Sequence, residues 1–167
     1  MVWAGAWVAA AAALAAIVPH PLLLWNETPS EPLGLYVRAA TPLRVGVIIA
    51  FWTPPAAFPY ADARMGYLHR ITILKGIIAA QNDHVCTAGG ELKVNYQPLA
   101  KVMARDERGV ALPVWRDCRT LGHGEYFVFS GRIPNSFDSR YYGPIRRGAI
   151  VGVFTPLWVQ ADAPGRA

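Results

Sequence analysis

Residues 69–78 read His69-Arg70-Ile71-Thr72-Ile73-Leu74-Lys75-Gly76-Ile77-Ile78. β-Branched side chains dominate this stretch, and they sit more easily on a pleated strand than in a helical turn. Strand alternation places Ile71, Ile73, Lys75 and Ile77 on one face. A lysine in a row of isoleucines has two readings. Its stem can lie on apolar surface while the ammonium reaches water. Alternatively, burial disfavours the charged amine and leaves a neutral base able to take a proton from a hydroxyl. Neutrality at pH 7 would need a shift of ~3 units, equivalent to roughly 4–5 kcal/mol.

Similar patterns recur on both sides of this strand. Leu33–Ala39, Leu43–Trp52, Leu92–Gln97, Val102–Arg105, Glu125–Ser130 and Ala149–Phe154 all read as short strands, with 92–97 and 102–105 as the arms of a hairpin. Fourteen prolines leave little room for long helices in this part of the chain, and Ala56–Tyr67 is the one short helix expected. The prediction is a mostly β, antiparallel domain over residues 26–167, with no internal repeat and no second domain.

The first 25 residues differ. From Val2 to Val18 there is no charged residue, and apart from Gly5 only Ala, Val, Trp, Leu and Ile occur. A bilayer-spanning helix needs ~17–25 apolar residues, so this run suffices, and Trp25 suits the membrane interface. No Lys or Arg precedes Arg38, which removes the basic leader of a cleaved signal peptide. Residues 1–25 are therefore expected to be an uncleaved N-terminal membrane anchor, with the lipid bilayer as a partner.

The net charge of +5 is carried by scattered basic residues with no basic stripe at helical spacing, which argues against nucleic-acid binding. The two cysteines, Cys86 and Cys118, close a loop of about thirty residues. In an exported domain such a pair oxidises, stabilising the fold by ~3–4 kcal/mol. A zinc reading would recruit His84 and His123 to the same cysteines, but that spacing lacks the usual paired halves of a zinc site.

Four serines are available as nucleophiles: Ser30, Ser130, Ser136 and Ser139. Ser30 lies in Asn26-Glu27-Thr28-Pro29-Ser30-Glu31-Pro32-Leu33-Gly34-Leu35-Tyr36, where the prolines enforce a stiff, extended course. Gly34 then allows a turn or the close approach of another chain segment. Rigid presentation suits a nucleophile, although a structural linker would look the same. Pro134–Pro144 reads Pro-Asn-Ser-Phe-Asp-Ser-Arg-Tyr-Tyr-Gly-Pro, with Asp138 and Arg140 placed to pair.

Together these three stretches and the terminal Pro156-Leu157-Trp158 resemble the serine–lysine signal peptidases, most closely the TraF-type conjugal-transfer peptidases. The resemblance implies Ser30 as nucleophile and Lys75 as general base. It further implies Thr28 as a donor to the oxyanion, Ser136 as the hydroxyl orienting the lysine amine, and Asp138 with Arg140 as a supporting pair. It implies no metal or organic cofactor, a pilin or other exported precursor as substrate, hydrolysis or cyclisation as outcome, and a catalytic domain on the periplasmic side of a bacterial inner membrane. The chain departs from the family pattern in three places. Gly76 follows the lysine where arginine is usual, Gln81-Asn82-Asp83 replaces a Pro-Gly-Asp turn, and Val45-Gly46-Val47 replaces a Gly-Asp. A general signal peptidase and a non-catalytic anchored β-domain of a pilus assembly are the alternatives.

Overall fold

The computed structural model describes residues 21–160. The membrane helix expected over Val2–Val18 lies outside the described residues, and among those described no helix is long and apolar enough to cross a bilayer. Eleven strands follow in two antiparallel sheets. They are β1 (Leu23–Asn26), β2 (Gly34–Ala39), β3 (Ile48–Phe51), β4 (Ile73–Ala79), β5 (His84–Cys86), β6 (Glu91–Val94), β7 (Gln97–Lys101), β8 (Cys118–Thr120), β9 (Glu125–Phe129), β10 (Ile145–Arg146) and β11 (Ile150–Val159). The larger sheet runs β1-β2-β11-β3-β4-β9-β10 and the smaller β7-β6-β5-β8.

Both faces of the large sheet carry apolar cover. Ile49, Phe51, Ile77, Phe127 and Val128 join Val85, Leu92 and Leu121 of the small-sheet region in the main core. Tyr36, Ala50, Leu74, Val151 and Phe154 form a second cluster. Each such aliphatic or aromatic side chain, once fully buried, contributes about 1.5–3 kcal/mol. Lys75 sits in β4 opposite Ile49, on the alternation that also holds Ile73 and Ile77.

Several expectations need correction. Leu23–Asn26 is strand β1, paired with β2, so the apolar tail of the expected anchor belongs to the β-domain. Asn26 is buried at the end of this strand, while Trp25 is exposed and stacks on Trp158. Of Leu43–Trp52 only Ile48–Phe51 is strand, because Gly46 takes a positive φ and turns the chain first. The hairpin reverses at Asn95-Tyr96, both with positive φ, so the turn falls inside the segment expected to be its first arm. The expected helix is split into 3-10 turns at Pro55–Ala57 and Gly66–His69 around a helix at Tyr60–Arg64. Pro59 and Gly66 bound that helix and keep it from continuing.

Two glycines are required by close approach. A Cβ on Gly34 (φ +140°) would lie 2.3 Å from the Trp158 carbonyl oxygen, where β2 meets β11. At Gly143 (φ +77°) it would lie 2.8 Å from the Trp115 ring. Cys86 and Cys118, opposite one another on β5 and β8, are joined as a disulfide, which occupies both sulfurs and ends the zinc reading.

Candidate active site

The loop between β1 and β2 carries Thr28, Ser30 and Glu31, and it is held by side chains rather than by a ladder. Asn26 Nδ2 donates to the carbonyls of Thr28 (2.9 Å), Glu31 (2.9 Å) and Pro32 (3.0 Å). Its Oδ1 accepts from the Thr28 N–H (3.2 Å) and the Thr28 hydroxyl (3.1 Å). The Tyr36 hydroxyl donates to the Pro32 carbonyl (2.8 Å). Ser130, at the end of β9, donates its hydroxyl to the Ser30 carbonyl. Pro29 and Pro32 restrict the unfolded loop as well, so little freedom remains to be lost on folding.

This framework brings Ser30 and Lys75 together. Both are buried, at 4% and 3% exposure, and the Lys75 amine hydrogen-bonds the Ser30 hydroxyl. Burial is the main influence on the amine and lowers its pKa to about 8. Asp138 and Glu31 oppose that shift by favouring the charged form, while Arg140 adds to it. Roughly one lysine in ten is then neutral at pH 7 and half near pH 8.

Asp138 is fully buried and caps the one-turn helix Ser139–Tyr142 through the Arg140 N–H. It pairs in bidentate fashion with Arg140, Nε to Oδ1 at 2.8 Å and Nη2 to Oδ2 at 2.9 Å. Two further Arg140 donors reach the carbonyls of Lys101 and Ser136, each at 2.9 Å. The guanidinium also lies over the Phe129 ring, 4.8 Å from its centroid. The Ser130 N–H donates to Asp138 Oδ2 at 3.4 Å, linking this pair to the loop that carries Ser30.

Two expected roles are not formed. Ser136 is buried at this site, but its hydroxyl has no hydrogen-bond partner and so does not orient the amine. Thr28 Oγ1 lies 3.4 Å from Ser30 Oγ, yet its proton is directed to Asn26 Oδ1. A hydroxyl with one proton committed there can only accept from Ser30.

Sequence reading did not pick out Asn26, Ser130 or Glu31 as part of the site. Asn26 had a signal, being two positions ahead of Thr28 at a strand end, where an Asn side chain closes local turns. Ser130 counts among the candidate nucleophiles, but its role as a tether had no signal, since its contact with Ser30 spans a separation of 100 residues. Glu31 was visible only as the neighbour of Ser30. Its carboxylate is largely buried and accepts from the Gly76 N–H at 3.0 Å, tying the loop to β4.

The family profile described as signal peptidase, peptidase S26, matches residues 1–158. A plasmid transfer protein TraF of Escherichia coli is 33% identical over 143 residues, covering 79% of this chain and 80% of its own. A probable conjugal transfer protein TraF of Sinorhizobium fredii is 30% identical over 138 residues, covering 77% and 72%. Among solved structures, a signal peptidase I of Enterococcus faecalis V583 matches with a TM-score of 0.43 at 20% identity, covering 70% of this chain and all of that one. With nearly its whole length matched, and TraF proteins at about one identity in three, the chain belongs to the signal peptidase family, peptidase S26.

Proposed function

We propose that this protein is a membrane-anchored serine endopeptidase of conjugal transfer that processes a pilin precursor with a Ser30–Lys75 dyad. The observation that carries the reading is the hydrogen bond between the Lys75 amine and the Ser30 hydroxyl, in a site that removes water from both. The names of the TraF relatives favour conjugation as the setting.

In this reading neutral Lys75 takes the Ser30 proton as Ser30 Oγ attacks the scissile carbonyl. The negative charge develops on the former carbonyl oxygen, beside the Ser30 N–H and Thr28. Thr28 donates there only after its hydroxyl leaves Asn26, a short rotation. Lysinium then protonates the departing amine, leaving an acyl-enzyme on Ser30. Water releases a trimmed chain, whereas attack by the substrate's own N-terminal amine releases a cyclic one.

The apolar end of the large sheet supports work at a membrane surface, which in this reading is the periplasmic side of the inner membrane. Leu22, Leu23, Trp25, Leu157 and Trp158 are each more than half exposed, and the Trp25 and Trp158 rings stack at 5.9 Å. Such an aromatic patch suits the bilayer interface. Ser30 is five residues beyond Trp25, within ~17 Å along an extended chain.

The test is mass spectrometry of a co-encoded pilin precursor after incubation with wild type, Ser30→Ala and Lys75→Ala. Wild type alone should convert it, and a product one water lighter than the trimmed chain identifies cyclisation. Full conversion by either variant removes the dyad, whereas no conversion by any of the three proteins leaves a non-catalytic role in pilus assembly. Conversion of a broad panel of exported precursors would instead favour a general signal peptidase.

A further inference from the structure

Glu31 is a buried carboxylate without a place in the mechanism above. Its backbone is pinned on both sides, because Asn26 holds the Glu31 and Pro32 carbonyls while Ser130 holds that of Ser30. The side chain reaches across to β4, where Oε1 accepts from the N–H of Gly76, the residue after Lys75. Burying a carboxylate costs several kcal/mol unless hydrogen bonds and opposite charges compensate it. The groups facing Glu31 are the Gly76 N–H, Lys75, Arg132 and the Tyr36 phenol. Those facing the Lys75 amine are the Ser30 hydroxyl, Glu31, Asp138 and Arg140. Asp138 is engaged in a bidentate pair with Arg140, which offsets its field at the amine.

We propose that Glu31 is a positioning residue of the Ser30–Lys75 pair, tying the nucleophile loop to the lysine strand through the Gly76 N–H and supplying a negative charge that faces the amine. The inference rests on the dyad reading for its purpose, and its geometry is independent of the substrate. One end of the carboxylate fixes how far Ser30 stands from β4. The charge holds the amine more basic than burial alone would leave it, so Lys75 remains a competent proton acceptor and its conjugate acid a competent donor. Burial raises the Glu31 pKa, while the Gly76 bond, Lys75 and Arg132 act against that rise.

Lysine occurs only at positions 75, 93 and 101, so lysine labelled with carbon-13 at Cε gives a readable titration in the full-length protein. The Lys75 resonance is the one missing from Lys75→Met. Glu31→Gln keeps an acceptor for Gly76 but removes the charge, and its Lys75 midpoint should fall by about half to one pH unit. Glu31→Asp keeps the charge on a shorter arm, so its midpoint should stay near wild type. Processing by Glu31→Asp should nevertheless slow by about tenfold or more, as the loop loses its tie. A Gln midpoint equal to wild type, or an Asp variant that titrates like Gln, overturns the proposal. If Ser30→Ala still processes precursor, the dyad reading fails instead, and the two failures are read in separate experiments.

Discussion

Two buried cations lie within the same site, and they are treated in opposite ways. Arg140 is almost completely satisfied, by a bidentate carboxylate, two backbone carbonyls and an aromatic face. Lys75 is as deeply buried but has the Ser30 hydroxyl as its hydrogen-bond partner, with its carboxylate neighbours acting through space. Guanidinium cannot lose its proton in a protein, so its burial has to be matched by acceptors. An amine can lose its proton, and incomplete compensation makes that loss available near neutral pH. The arginine cluster fixes geometry, and in the proposed function the lysine supplies reactivity.

Breaking the satisfied pair should have the largest effect on stability. Asp138→Asn leaves Arg140 buried without a counter-charge, and denaturant unfolding should show a loss of about 3–5 kcal/mol. An effect below ~1 kcal/mol would mean that the pair is not the brace described.

Replacing the under-compensated cation should act in the other direction. Unfolded lysine titrates near 10.5 and folded Lys75 near 8, so below pH 8 the folded state is penalised for the missing proton affinity. Lys75→Met removes that penalty at similar volume. It should stabilise the protein by about 1–3 kcal/mol at pH 7 while abolishing processing, with part of the gain offset because Glu31 and Asp138 lose a facing cation. Between pH 8 and 10.5 the unfolded state binds the extra proton, so wild-type stability rises with pH and its deficit relative to Lys75→Met closes. Unfolding curves at pH 7 and pH 10 check both the sign and the window.

A smaller effect separates the carbonyl of Ser136, which Arg140 uses, from its unpartnered hydroxyl. Ser136→Ala should change stability by less than about 1 kcal/mol, since no hydrogen bond is lost. A large destabilisation would reveal a bond that the resting structure does not contain.

Much of this contrast was legible in the sequence because it depends on short-range pattern. Alternation put Lys75 among isoleucines, and Asp138 and Arg140 lie two residues apart in a segment where proline and glycine force a turn. Gly34 reads as allowing the close approach of another segment, and the Trp158 carbonyl is that segment. What sequence missed was tertiary. The Ser130 tether, the Glu31 bond to Gly76 and strand β1 each depend on which strands become neighbours, and no local propensity carries that. The hairpin reversal at Asn95-Tyr96 was lost for a different reason. Tyrosine rarely adopts a positive φ, so the turn has no Asn-Gly signature.

The account turns on Lys75 acting as a neutral base toward Ser30, and the pH dependence of kcat/KM for precursor processing tests that most directly. Activity should climb tenfold per pH unit below a midpoint near pH 8 and level off above it, following the free amine. A profile already flat from pH 6, or a midpoint near the ordinary histidine or carboxylate range, would contradict it.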